Sequence, residues 1–207
     1  MKTKTLIFIA LALVVLLNVS LMGLYLLKQA GARTPVGFSA PETLPVIKKL
    51  PAFTLTSDKG TPFSPEELAG KVWVADFIFT SCPGPCPIMT RNMAGVAETL
   101  KMISDVSFVS ISVDPETDTP EVLAKYGAQH GADPARWHFL TGTPEAIQSV
   151  AAEAFMVGAI DDPMIHSSKF CLVDRAGRIR GYFTGTDEDD IDRLITAVHQ
   201  LLKEETP

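Results

Sequence analysis

Nine residues, Val72 to Thr80, constrain this chain more than any other stretch. They read Val-Trp-Val-Ala-Asp-Phe-Ile-Phe-Thr, an almost continuous apolar run. A run of this kind marks a strand covered on both faces. Asp76 is the one acid inside it. The run leads directly into Ser81-Cys82-Pro83-Gly84-Pro85-Cys86-Pro87. Met89, Met93, Val96, Leu100 and Ile103 then follow at spacings of 4, 3, 4 and 3. That spacing is a single apolar stripe on a helix. The predicted unit is strand, cysteine turn, helix, with Cys86 at the helix start and Cys82 in the turn before it. Pro83, Pro85 and Pro87 restrict the turn, and Gly84 is read as permitting a sharp bend.

The remaining chain alternates the same two element types. Phe53-Thr54-Leu55-Thr56 reads as a short strand, with a turn at Ser57-Asp58-Lys59-Gly60. Ser64 as N-cap, Pro65 in the first helical position and Glu67 closing a capping box predict a short helix that Gly70 stops. Val106 to Val113 is a second buried strand, and Thr119-Pro120-Glu121 opens a helix to about His130. Trp137 to Leu140 is a third strand, and Thr143-Pro144-Glu145 opens a helix to about Ala154. A loop carrying Asp161, Asp162, Pro163, Met164 and His166 leads into a hairpin: Lys169 to Asp174, a turn at Ala176-Gly177, then Ile179 to Thr184. The last helix starts near Thr186, where Asp187, Glu188, Asp189 and Asp190 suit an N-terminus. Its stripe is Ile191, Leu194, Ile195, Val198, Leu201 and Leu202. This order predicts an α/β protein whose central mixed sheet is flanked by helices, and it resembles the thioredoxin fold. In that fold the loop entering the hairpin packs beside the cysteine turn.

The N-terminus has a different composition. Leu6 to Leu27 is a 22-residue stretch without charge, long enough to cross a hydrocarbon core of ~30 Å as a helix. A cleaved signal peptide has a shorter apolar core, and only a weak small-residue site follows at Ala30 and Ala32. The expectation is an uncleaved N-terminal anchor over 1–27. A tether over 28–50 follows, with Gly31, Pro35, Gly37, Pro41 and Pro45, and then a globular domain over 51–207. Lys2 and Lys4 favour a cytoplasmic N-terminus. The domain would then face the periplasm or the outer side of a bacterial inner membrane, as a single-pass protein. Setting aside the four cations beside the apolar stretch, the chain carries 14 basic against 24 acidic side chains. A nucleic-acid binder shows the opposite sign.

Three cysteines are too few for a disulfide scaffold. Cys82 and Cys86, at a helix N-terminus, sit where free N–H groups and the positive dipole end favour thiolates. Such a pair exchanges disulfides or holds a soft metal. His166, in the loop expected beside them, would complete a site of two thiolates and one imidazole. Thiolates select Cu(I), whereas a closed structural zinc site needs a fourth ligand that is not evident. His130, His138 and His199 read as surface or core residues, Cys171 as a small buried hydrophobe, and Met89 as core. Met164 is open between core and a thioether ligand. Asp114 either shapes the site, touches a partner or caps the turn with Pro115, and Asp76 is either a buried acid near the thiols or a residue of the solvated rim.

Three segments carry a resemblance to a known family: Asp76 to Pro87, the strand end Ser112-Val113-Asp114-Pro115, and Ile165-His166-Ser167-Ser168-Lys169-Phe170-Cys171-Leu172-Val173-Asp174. Together they resemble the Sco/SenC family, membrane-tethered thioredoxin-like copper chaperones that help assemble the dinuclear copper centre of cytochrome c oxidase. The resemblance spans about 46–203. It implies that Cys82, Cys86 and His166 bind copper, as Cu(I) or Cu(II), and deliver it to the copper-binding subunit of the oxidase. A periplasmic thiol reductant would keep the pair reduced. One departure is Gly84, where family members often carry an acid. The alternative is a thiol–disulfide oxidoreductase acting on a partner's cysteines, with Cys82 as the more exposed attacking thiol. Peroxide reduction is weaker, because Arg91, the nearest arginine to the turn, lies two helical turns in.

Overall fold

The computed structural model describes residues 13, 15–22, 43–157 and 168–204. The chain falls into two units, Met1–Pro41 and Glu42–Pro207. In the first, Leu13 and residues 15–22 are helical, and their apolar side chains are exposed. Among the described residues no helix is long and apolar enough to cross a membrane. Most of the expected anchor, Leu6 to Leu27, lies outside the described residues.

The second unit is built on an eight-stranded mixed sheet. Its strands are β1 (Lys48–Lys49), β2 (Leu55–Ser57), β3 (Pro62–Phe63), β4 (Val72–Ile78), β5 (Val106–Ser112), β6 (Trp137–Thr141), β7 (Lys169–Val173) and β8 (Arg178–Thr184). Their order is β1-β8-β7-β4-β5-β6-β2-β3. β4, β5 and β6 run parallel, with Val72 opposite Val106 and Phe108 opposite Trp137. All other pairings are antiparallel. The helices are α1 (Cys86–Thr99), α2 (Pro120–Gln129), α3 (Pro144–Ser149) and α4 (Glu188–Lys203), and α3 continues into a π-helical turn over Val150–Ala154.

The central strand explains why Val72 to Thr80 lacks alternation. Every residue of β4 is buried. Val72, Val74 and Ile78 join Met89, Met93, Val96, Leu194 and Val198 in one core. Trp73, Ala75 and Phe77 join Val109, Leu140, Phe155 and Cys171 in another on the opposite face. Two apolar layers therefore enclose one strand, and both of its faces must be apolar. The stripe Met89, Met93, Val96 and Leu100 is fully buried as its spacing predicts.

The short predicted helix at Ser64 is a 3₁₀ turn over Pro65–Leu68, with the Ser64 N–H donating to Glu67 Oε1 at 3.0 Å. Gly70 ends it at φ 80°, a conformation glycine adopts without strain. The predicted hairpin and last helix are present. Two strands are additional, β1 and β3, each only two residues long.

The described part of the expected tether, residues 43–50, is tied to the domain. Ile47 N–H donates to Ile179 O at 2.9 Å, and β1 pairs with β8. Arg180, buried at the same end of the sheet, accounts for much of this. Its Nε donates to Pro45 O at 3.1 Å and its Nη2 to Leu44 O. Its Nη1 pairs with Asp174 at 2.9 Å and Glu204 at 2.7 Å. These residues lie at the start of β4, since Val173 opposes Trp73. The cysteine turn follows the other end of β4.

Candidate metal centre

β4 ends at Ile78, and the chain bends at once: the Cys82 N–H donates to Phe79 O at 3.2 Å. α1 begins at Cys86 with Pro85 as its N-cap, and the Ile88 and Met89 N–H groups both reach Pro85 O at 3.0 Å. Pro87 sits in the first turn, where its missing N–H costs nothing. The strand–turn–helix placement of Cys82 and Cys86 is as the sequence predicts.

Gly84 does not owe its place to a positive φ. A Cβ built there meets only Cys82 Sγ, at 3.8 Å, an ordinary contact. The bend thus comes from the prolines and the backbone hydrogen bonds, and a side chain at position 84 would fit.

All three cysteines are free thiols. Cys82 and Cys86 are both buried, at 7% and 5% exposure, so exposure does not distinguish them. Hydrogen bonding does. Burial opposes the Cys82 thiolate, but the Cys86 thiol, the Cys86 N–H and the Gly84 N–H outweigh it and bring its pKa below the ordinary thiol value. The Gly84 N–H lies 3.4 Å from Cys82 Sγ. Burial pushes Cys86 up to about 12, helped by its bond to Cys82 and by negative charge on Cys82 and Asp76. The sequence reading expects the helix end to favour both thiolates. The structure instead makes Cys82 the acidic thiol and Cys86 the proton-retaining one: burial outweighs the single Phe79 backbone donor at Cys86, whereas the Cys86 thiol and the Cys86 and Gly84 N–H groups outweigh burial at Cys82.

Asp76 lies on β4 with no exposure at all, so it is the buried acid rather than a rim residue. Trp137 Nε1 donates to Ser110 Oγ at 3.0 Å, and Ser110 Oγ donates to Asp76 Oδ1 at 2.6 Å, a chain across β6, β5 and β4. Among the described residues Asp76 Oδ2 has no partner. Desolvation raises its pKa to about 7. Tyr126, on α2, bonds Thr90 of α1 at 2.8 Å. Its hydroxyl pKa is raised by burial and then by the charges of Asp76, Cys86 and Cys82, which places it within electrostatic reach of the pair.

Other sequence candidates lie elsewhere. Cys171 is fully buried opposite Ala75, and burial drives its thiol pKa far up. Met89 is core. His138 packs against Phe63 with ring centroids 5.1 Å apart and the planes tilted by 39°, its pKa lowered by burial and Lys59. His130 packs on Tyr126 at 4.5 Å, and His199 is exposed. His166 and Met164 lie outside the described residues. Among the described residues no group of three or more His, Cys, Asp or Glu side chains is placed to hold a metal ion. Cys82 and Cys86 are the two thiols at the head of α1.

Asp114 serves through its backbone: its carbonyl accepts from the Thr117 and Asp118 N–H groups, making the turn with Pro115. The carboxylate reaching the cysteine segment is Asp118, which sequence reasoning missed. It is fully buried and accepts from the Thr80 N–H at 3.0 Å, the Thr80 hydroxyl at 2.5 Å and the Ser112 hydroxyl at 2.6 Å. The available signal was an acid directly before a Thr-Pro-Glu helix start at the end of a buried strand.

Comparison with known proteins agrees with this architecture. A family model described as SCO1/SenC matches residues 43–203. The SCO1 protein homolog of Bacillus subtilis (strain 168) is 36% identical over 160 residues, covering 74% of this chain and 83% of the relative. The structure of BsSco, described as having a disulfide switch and as a member of the Sco family of cytochrome c oxidase assembly proteins, superposes with a TM-score of 0.68 at 34% identity, over 78% of this chain and 98% of that one. Arabidopsis thaliana ScoI, solved with copper bound, gives a TM-score of 0.62 at 28% identity, over 73% and 98%. With its paired cysteines at the head of α1 and the family match running through nearly the whole of the second unit, the chain belongs to the SCO1/SenC family.

Proposed function

We propose that this protein is a membrane-tethered copper-binding assembly protein. Cys82, Cys86 and His166 take up copper when both thiols are reduced, and the ion passes by ligand exchange to the copper-binding subunit of cytochrome c oxidase. The observation that carries this reading is the hydrogen-bonded pair of free thiols at the head of α1 in a chain of this family. Thiolates suit Cu(I). A third donor from His166 is supported by position: antiparallel β7 opposes β4, with Cys171 opposite Ala75, so Lys169 lies toward the cysteine end of the sheet. His166 is three residues before Lys169 in sequence. Copper as cargo and the oxidase as recipient are supported by what the Arabidopsis and BsSco relatives are described as binding and assembling. The exposed apolar side chains of helical Val15, Leu16, Leu17, Val19, Leu21 and Met22 support an anchor over Leu6 to Leu27, and Lys2 and Lys4 support a bacterial inner membrane with the domain in the periplasm or on the outer side.

The split between the two thiols favours a second role, as a thiol–disulfide oxidoreductase. The Cys82 thiolate would attack a partner disulfide, and Cys86, on losing its proton, would resolve the mixed disulfide, leaving the partner reduced and this pair oxidised. The deciding experiment is an anaerobic Cu(I) titration of the reduced protein against a competing chelator, beside His166→Ala and Cys82→Ser. The expected result is one tight equivalent, weakened in both variants. Binding indifferent to His166 would overturn the three-ligand reading and leave the pair as a redox couple.

A further inference from the structure

We propose that Asp118 is the positioning residue of the cysteine turn: its buried carboxyl, reaching from the β5–α2 loop, fixes Thr80 and thereby holds Cys82 beside Cys86. The inference rests on the reading of that pair as the working site.

The chain after β5 folds back on itself, the Asp118 N–H donating to Asp114 O at 2.8 Å. This places the Asp118 carboxyl between two strand ends. On one side it takes the Ser112 hydroxyl, at the end of β5. On the other it takes both donors of Thr80, backbone and side chain, just past the end of β4. Thr80 is two residues before Cys82, within the bend closed by the bond from Cys82 N–H to Phe79 O. One oxygen holds the backbone of the turn and the other holds its side chain, so Thr80 can neither rotate nor slide without losing a bond to a fully buried carboxyl.

Helix capping does not account for Asp118. The N-cap of α2 is Thr119, whose own side chain accepts from the Val122 N–H. Asp118 is thus spare for α2 and spends its acceptors on a segment 38 residues earlier. What it secures is the placement on which the Cys82 environment depends, since Cys82 Sγ collects the Gly84 and Cys86 donors only if its own backbone is held.

The test uses Asp118→Ala and Asp118→Asn in the full-length protein, with two readouts. The first is the ratio of alkylation rates at Cys82 and Cys86 at pH 7, resolved by mass spectrometry. The second is Cu(I) affinity. Asp118→Ala should collapse the Cys82 preference and weaken Cu(I) binding about 10-fold, the lower end of the loss seen when supporting partners of metal ligands are removed. Asp118→Asn should stay close to wild type in both. Its amide oxygen still accepts the Thr80 N–H and the Ser112 hydroxyl, and the Thr80 hydroxyl can turn to accept from the amide.

A folded Asp118→Ala protein with the wild-type alkylation ratio and affinity would overturn the proposal, as would an Asp118→Asn protein damaged as badly as Asp118→Ala. If Asp118→Ala fails to fold, Thr80→Val removes only the hydroxyl bond. It should shift the alkylation ratio in the same direction, and no shift would equally overturn the proposal. The alkylation ratio needs no copper. A protein that binds no copper but loses Cys82 selectivity in Asp118→Ala would refute the copper reading and leave this one standing.

Discussion

Replacing Asp76 with Asn should stabilise the protein at neutral pH and do less at acid pH. Asp76 is fully buried, with one oxygen held by Ser110 and the other without a partner among the described residues. Desolvation raises its pKa from 3.8 to about 7. Below pH 4 the carboxyl is protonated in both folded and unfolded chains, and ionisation costs nothing. Between pH 4 and 7 the unfolded chain releases the proton while the folded chain keeps it. The folded state then binds more protons, and stability falls as pH rises, by about 1.4 kcal/mol per pH unit. Above pH 7 both states are ionised and the loss levels off. The accumulated penalty is roughly 4 kcal/mol. Asn has nearly the same shape, keeps an acceptor for Ser110 and never ionises. The stability difference between Asp76→Asn and wild type should therefore climb by roughly 4 kcal/mol from pH 4 to pH 8. Guanidinium denaturation followed by the fluorescence of buried Trp73 and Trp137 would measure it. A difference that is flat across this range would refute the assignment of Asp76 as a buried, neutral acid.

Copper binding should tighten with pH. Cys86, at about 12, keeps its proton through the neutral range and must release it to ligate, so apparent Cu(I) affinity should rise about tenfold per pH unit on account of this proton alone; affinity that does not change between pH 6.5 and 8 would contradict it. Gly84→Glu should fold normally, since the Cβ has room, and change stability by no more than about 0.5 kcal/mol. A carboxylate beside Cys82 should nonetheless raise that thiol's pKa, read as a shift of the alkylation midpoint to higher pH; destabilisation without such a shift would show that the turn needs glycine after all.

What could be read from the sequence was what local pattern decides. The buried strand at Val72, the stripe from Met89 to Leu100 and the proline-flanked start at Cys86 each follow from composition and period over a few residues. β1 and β3 could not be read, because two-residue strands have no period and exist through their pairing with β8 and β2. Asp118 was hidden for a related reason: its partner Thr80 is 38 residues away, and only the parallel pairing of β4 with β5 brings the two strand ends together. The inequality of Cys82 and Cys86 was also out of reach, since it depends on which sulfur the Gly84 and Cys86 donors meet. His166, the proposed third donor, could be placed in a loop by sequence alone, and it lies outside the described residues.

The Arg180 cluster has a mechanical consequence. Tension applied to the chain upstream of Leu44 is received by the carbonyls of Leu44 and Pro45, which Arg180 grips, and by the β1–β8 pairing. From there it passes into Asp174 and Glu204, so the hairpin and the C-terminal helix share the load. The seven residues of β4, a span of about 23 Å at the rise of a strand, separate this clamp from the cysteine turn. A pull on the chain upstream of Leu44 is thus taken up at the start of β4, while the geometry around Cys82 and Cys86 stays unloaded. The cysteine turn and the Arg180 clamp occupy opposite ends of one strand.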